Sequence, residues 1–420
     1  MRLEMSIYNV EDIRFGKNTS LQHHILSINR EEILALIQDY RFSKIELEIA
    51  RRGEKTRIVN IMDILEPRAK GEGREGTYFP GWVGPLSLTG FGNTHVLKGL
   101  AILEVCEDSG FIGGTIDMIG MEGMIPFPML SNLAVITRPT EGTDQTEYAF
   151  ASKMASLKTA TYLVRVTASL DPDEVRIFEL PPTGKVGGRL PKVAYLCLLQ
   201  NHGDLRETFF YGDNPRKYFP TVIHPNEMLD GAIVCGHYNI SAGLKNMTST
   251  FLNHPIILDL YRRHKKDLDF VGVVIANEPV SLKEKERSAV LAAKLIREIL
   301  GADGVIITKE GGGHTDIDMM QNCEVCEKLG VRTVLIDNEM LSPDGSGVFP
   351  LLDFSPMANA IISVGNIDEI VELPEVDRVI GGESMVELSG NLKGGLKIPV
   401  RMIPNAISQA GFTRLTTEER

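Results

Sequence analysis

Hydrophobic and polar positions fall into two textures along the chain. From Met1 to about Pro67, short apolar or alternating runs (SIYNV, HILSI, KIELEIA, TRIVNIM) predict strands around one helical stretch, EEILALIQDY. Residues 71–128 are rich in glycine and proline yet too apolar for a plain linker. Glycine at that density marks tight turns and close backbone approaches. Residues 147–170 read as a helix, and KVAYLCLLQ (192–200) reads as a buried strand.

Beyond residue 268 the pattern becomes regular. A strand, LDFVGVVIA (268–276), precedes a helical stretch over 282–300 in which Leu291, Leu295 and Ile299 recur on one face. GVIITK (304–309), a glycine cluster, a helix to Leu329, RTVLID (332–337) and ANAIISVG (358–365) follow. Strands alternating with helices of this length predict a parallel sheet with right-handed crossovers. The expected architecture is α/β. A mixed α/β domain with glycine-rich loops spans 1–190. A C-terminal domain spans 191–420, with a flavodoxin/Rossmann-like parallel sheet and helices on both faces.

Composition narrows the class. The chain has 420 residues, 43% hydrophobic and 24% charged, enough to bury a sizeable core. Lys and Arg number 44 against 56 Asp and Glu, a formal charge of −12, and no basic run with interleaved aromatics appears, so nucleic acid is not an expected partner. The five cysteines are too sparse for a secreted disulfide framework. The N-terminus carries charges where a signal peptide needs apolar residues, and no stretch approaches 18 apolar residues. A cytoplasmic protein without a membrane span is expected.

Four segments carry candidate chemistry. Glu310-Gly311-Gly312-Gly313-His314-Thr315-Asp316 follows a predicted strand, where open α/β sheets bind ligands. The glycines let backbone approach a ligand and the following helix start favours negative groups; the plain alternative is a glycine turn with Asp316 as a cap. It is not a dinucleotide fingerprint, because GxGxxG and its downstream acid are missing. Cys323-Glu-Val-Cys326 has metal or redox spacing but lies within a helical stretch without partner ligands, which favours packing. AIVCGHYNISAGLKN (232–246) crowds Cys235, His237 and Ser241 between glycines, a nucleophile–base combination if the side chains converge. His95 follows a glycine turn in GFGNTHVLKG.

These residues also resemble a known family over most of the chain. MRLEMSIYNVEDIRFG, ELEIARRGEKTRIVNIMDILEPR, THVLKG, LPKVAYLCLLQ, HPNEMLDGAIVCG, HPIILDLYRRHKKDLDFVGVVIANE, KERSAVLAAKLIREILGADGVIITKEG and NIDEIVELPEVDRVIGG occur in the order found in component B α/β-subunit precursors of glycine, sarcosine and betaine reductases, related to the D-proline reductase precursor. The resemblance implies reductive chemistry at an amino acid. Family members cleave themselves at an internal cysteine. The resulting pyruvoyl group captures the substrate amine, and a second, selenocysteine-containing subunit attacks the activated carbon.

Two departures alter that expectation. The family's processed cysteine follows Ser-Ala and precedes Asp-Lys-Asn. Here the stretch is Ser241-Ala242-Gly243-Leu244-Lys245-Asn246, so Gly243 stands in the cysteine's place. Glycine has neither a nucleophile for the acyl shift nor a leaving group for elimination. No pyruvoyl is therefore expected, and no other cofactor or metal is assigned. Ser241 is the alternative source of pyruvoyl, two residues early. The second departure is at the glycine loop, where the family's Asn-Pro has become His314-Thr315.

The leading expectation is a subunit of a heteromeric enzyme that lacks pyruvoyl and acts on a C–N bond of an amine or amino-acid-like substrate, by acyl transfer, amide formation or amide cleavage. Its partner is a reductase-B-like subunit bearing selenocysteine or cysteine. His314 is the candidate base and Asp316 orients it, with Glu310 behind and His237 and Cys235 nearby. Substrate contacts are assigned to His95, Gly311, Gly312, Gly313 and Ser241. Two alternatives stay open: a genuine reductase subunit performing reductive deamination through Ser241 or without processing, and a non-catalytic scaffold for the partner.

Overall fold

A computed structural model describes residues 1–71, 77–182, 188–201, 207–238, 245–346, 351, 353–388 and 390–411. The helices among them are α1 (Arg30–Ile37), α2 (Gln145–Leu163), α3 (Pro225–Leu229), α4 (Thr248–Leu252), α5 (Pro255–Arg263), α6 (Leu282–Lys294) and α7 (Thr315–Lys328). The chain is thus mixed α/β, with more strand than helix. No helix among the described residues is long and apolar enough to cross a membrane.

The N-terminal half builds two sheets. In the first, Glu174–Glu179, Arg2–Asn9, Gly92–Lys98 and Arg68–Lys70 lie side by side in that order. The second runs Gly114–Asp117, Thr56–Leu65, Leu100–Cys106, Ser131–Pro139, Phe42–Ala50. Thr56–Leu65 and Leu100–Cys106 are buried at every position, because both faces of this sheet are covered. Strand alternation sorts their side chains. Ala101, Leu103 and Val105 face the core shared with the C-terminal half, whereas Leu100 and Ile102 face a core containing Ala155, Leu157 and Ala160 of α2. Helix α2 starts cleanly because the Asp144 carboxylate accepts from the amides of Thr146 and Glu147.

The third sheet has the order Thr221–Ile223, Asp269–Asn277, Lys192–Leu199, Gly304–Thr308, Arg332–Glu339, Ile361–Asn366, and only Thr221–Ile223 is antiparallel. Ala194, Leu196 and Leu198 face Ala292, Ala293 and Ile296 near the end of α6 and Met319, Cys323 and Cys326 of α7. Tyr195, Cys197 and Leu199 face the other way, into a core with Ile256, Ile257 and Leu260 of α5 and with the second N-terminal sheet. Cys323 and Cys326 are buried in that helix packing, and Cys323 Sγ lies 3.2 Å from Thr333 Oγ1.

The parallel sheet is present, but the flavodoxin/Rossmann-like layering expected for it is not what surrounds it. Helices α6 and α7 cover one face together. The other face carries α5 and is otherwise sealed by the N-terminal sheet. No helix lies between Arg332–Glu339 and Ile361–Asn366 among the described residues. The chain then crosses back, since Arg378–Ile380 adds in parallel to Thr56–Leu65. Arg57 fastens this return. Its guanidinium makes a bidentate pair with Asp117 (2.7 and 2.8 Å), both side chains fully buried, and donates to the carbonyls of Pro374, Leu392 and Gly394.

Candidate functional site

The glycine loop joins Gly304–Thr308 to α7 at the carboxyl end of the parallel sheet. Gly311 and Gly313 have φ of 75° and 84°, the left-handed region that favours glycine. A Cβ on Gly312 would meet Met340 Sδ at 2.7 Å. Inside the loop, Lys309 Nζ donates to the Gly311 carbonyl and ion-pairs with Asp316 and Asp337, each at 2.8 Å. Gln409, arriving from the C-terminal return, donates to the same carbonyl at 2.7 Å.

Asp316 therefore turns inward to Lys309. His314, half-buried at the start of α7, faces Lys285 instead, with 3.1 Å between Nδ1 and Nζ. The charged group nearest the imidazole Nδ1 is thus an ammonium, while the Asp316 carboxylate acts on the ring through its charge. Burial and that ammonium hold the His314 pKa below its ordinary value. Lys285 also pairs with Asp318, whose carboxyl burial pushes up to about 7. Next to it, burial keeps Glu278 well above the carboxylate range, and one of its oxygens accepts from the Glu310 amide at 3.0 Å.

The Glu310 side chain points away from His314, toward residues 245–246. Its Oε2 accepts from Thr208 Oγ1 and the Gln200 amide, and its Oε1 accepts from the Asn246 amide at 3.1 Å. Lys245 donates to the Glu207 carbonyl at 2.6 Å, and its charge draws down both Glu310 and Cys235 against the effect of burial. Cys235 is nonetheless a fully buried thiol with its pKa pushed to about 12, so it rests protonated.

A second ionic cluster borders this one. Lys153 of α2 reaches Asp63 at 2.8 Å and Glu104 at 2.5 Å, and Glu104 also meets His237 Nε2 at 3.0 Å. Burial opposes every charge here. The two carboxylates outweigh it for Lys153 and hold the amine protonated; Lys153 and His237 outweigh it for Glu104 and hold that carboxyl below its usual range. Asp63 also accepts from Thr248 N and Oγ1, and Thr248 Oγ1 accepts from the Cys235 amide at 2.9 Å. A chain of hydrogen bonds and ion pairs thus links His237, Glu104, Lys153, Asp63, Thr248 and Cys235.

Of the residues singled out in the sequence, the structure brings Glu310 to the 245–246 stretch and Cys235 and His237 to the Lys153 cluster. It leaves His95 elsewhere: Nδ1 lies 2.7 Å from Thr167 Oγ1 and the ring rests on Tyr8. No hydrogen bond, ion pair or ring contact joins it to residues 310–316 among the described residues. Ser241 and Gly243 lie outside the described residues. Missed by sequence reasoning were Asp63, Glu104, Lys153, Lys285 and Lys309. An open crevice of about 400 Å³, lined by Arg216, Phe219, Asn277 and Arg287 among others, was missed too. A usable signal existed for two of these: Asp63 and Glu104 are single acids in the apolar runs VNIMDIL and LAILEVC.

The family model for glycine/sarcosine/betaine reductase component B subunits matches residues 1–418. The chain belongs to this component B family. It is 38% identical over 432 residues to the glycine reductase complex component B subunits alpha and beta of Acetoanaerobium sticklandii, covering all of both chains. Sarcosine reductase complex component B subunit alpha of Peptoclostridium acidaminophilum is 39% identical over 94% of this chain and 92% of its own. Betaine reductase complex component B subunit alpha of the same organism is 35% identical over 94% and 91%. No solved structure matches the chain. The component B relatives are named as parts of reductase complexes, which supports a subunit of a multi-subunit enzyme here.

Proposed function

We propose that this chain is a component B-type subunit that stays unprocessed and carries no pyruvoyl. With a thiol- or selenol-bearing second subunit, it acts on a C–N bond of an amine or amino-acid-like substrate. Gly243 is the residue that does not fit the group: it has no side-chain atom from which a pyruvoyl carbonyl is made. The observation that carries the reading is the Glu310–Asn246 hydrogen bond. It ties the loop bearing the ionisable His314 to Asn246, which lies three residues after Gly243 in the sequence.

Acyl transfer, amide formation or amide cleavage needs a base and oriented polar groups, not an electrophilic carbonyl on the protein. His314 serves as the base: burial and Lys285 lower its pKa, which favours the neutral imidazole at pH 7. Lys285 and Asp318 adjoin it as a proton reservoir, since Asp318 titrates near pH 7. Gly311, Gly312, Gly313 and Ser241 contact the substrate. The crevice with Arg216 and Arg287 supplies cations for a substrate carboxylate.

Full-length likeness to named reductase components favours one competing reading, reductive deamination with processing at Ser241. Intact-mass analysis separates the two. One species with the mass of all 420 residues and no hydrazine-reactive carbonyl is expected; two fragments split near residue 241 would overturn the proposal. In the reconstituted complex, His314→Ala is expected to lower turnover by about two to four orders of magnitude with partner binding retained. Turnover within a few-fold of wild type removes His314 as base.

A further inference from the structure

We propose that Glu104, Cys106 and His237 bind a divalent transition-metal ion of the zinc type. Glu104 and Cys106 are two apart on Leu100–Cys106, so strand alternation sends both to the α2 face. His237 comes to them from the segment after Ile233–Cys235, held in place by the Tyr238 amide donating to the Met62 carbonyl at 2.8 Å. One ligand atom from each of the three lies within 4.8 Å of the others, and all three residues are buried. Zinc bonds near 2.0–2.3 Å at tetrahedral angles put ligands about 3.3–3.8 Å apart, so a contraction of roughly 1 Å closes the set. A thiolate, an imidazole and a carboxylate are a donor set suited to zinc, with a fourth position left open.

One further observation points to an ion. His237 Nδ1 is buried and has no hydrogen-bond partner among the described residues, so this ring has a nitrogen to spare. Lys153 pairs with Glu104 Oε2, while His237 and the proposed ion use the Oε1 side. The proposal reaches beyond the C–N chemistry and stands without it, because its test reads binding.

The test uses metal-stripped, full-length chain titrated with Co²⁺ at pH 7.5. Expected are one equivalent bound, about one proton released per ion, and a near-ultraviolet thiolate-to-cobalt absorption that Zn²⁺ abolishes by competition. Cys106→Ser should lose the absorption while Cys326→Ser, in the α6–α7 core, keeps it. Should Cys106→Ser melt early, the titration is repeated in Glu104→Gln. Affinity weakened at least tenfold supports the site, and unchanged affinity overturns it. Absence of the absorption from the unmodified chain, or its survival in a folded Cys106→Ser, also overturns the proposal. Affinity should fall with pH as the ligands take up protons.

Discussion

Replacing Lys153 with methionine keeps the aliphatic stem and removes an ammonium that contacts both Asp63 and Glu104. All three side chains are 2% exposed or less, so water does not take over the lost interaction. Removing one partner of a buried ion pair costs about 3–5 kcal/mol, because the other charge is stranded. An unfolding entropy of about 2.1 cal/mol/K per residue gives roughly 0.9 kcal/mol/K if the chain melts as one unit, so Tm should drop by roughly 3–6 °C near neutral pH. The pH dependence is the sharper test. In the wild type, Glu104 has a folded pKa below its unfolded value; its contribution is present above about pH 4.3 and fades as pH falls through the folded pKa. Without Lys153, burial and mutual repulsion lift Glu104 above its unfolded value and push Asp63, which burial already raises in the wild type, further up. They then destabilise at neutral pH, and protonation relieves them. The Tm gap between variant and wild type, followed by circular dichroism from pH 8 to pH 5, should narrow. A gap under about 1 °C at pH 8, or one that is constant or widens on acidification, refutes the reasoning.

Other outcomes follow from the same geometry. All five cysteines are buried, and burial pushes Cys106, Cys197, Cys235 and Cys326 to about 12, so the native chain should show no fast-reacting thiol at pH 7.5 and five in denaturant. A native equivalent that reacts within seconds contradicts the burial. Gly243→Cys restores the nucleophile that the family's processing needs, and a denaturing gel should show two fragments where wild type gives one band; a whole chain would mean that more than residue 243 has been lost. Arg57→Met strands the Asp117 carboxylate and releases three carbonyls of residues 374–394. It should cost about 3–5 kcal/mol, and limited proteolysis should cut first in that segment. Uniform protease resistance would show that Arg57 does not hold the return.

What was legible in the sequence was local. Largely apolar runs located KVAYLCLLQ, LDFVGVVIA, GVIITK and RTVLID within a residue or two of their strands, because a strand buried on both faces has few polar positions. The glycine-rich passage hid Gly92–Lys98, Leu100–Cys106 and Gly114–Asp117, since turns every few residues interrupt any period. The covering of the parallel sheet was invisible because it depends on Arg378–Ile380 pairing with Thr56–Leu65, more than 300 residues earlier, and on a core drawn from both halves. The site shows the same division. The loop 310–316 announced itself by its glycines, whereas the cluster around Lys153 takes one charge from each of three elements that the sequence does not connect. His95 misled for the converse reason: a glycine before a histidine says nothing about which sheet the histidine enters.

Glu310 ties together segments far apart in the sequence, and that limits what a change near them can disturb. Here Glu310, four residues before His314, accepts from the backbone of Asn246, three residues after Gly243. Because Glu310 also accepts from Gln200 and Thr208, its carboxylate fixes the loop, the end of Lys192–Leu199 and the 245–246 stretch in one frame. Backbone donors at Asn246 and Gln200 persist whatever side chains those positions carry, so this frame does not depend on those side chains. Lys153, Asp63, Glu104, Lys245 and Glu310 are all buried, although apolar replacements of buried ion pairs are often neutral or stabilising. Buried charges that packing alone does not require are the pattern of a site that binds something polar.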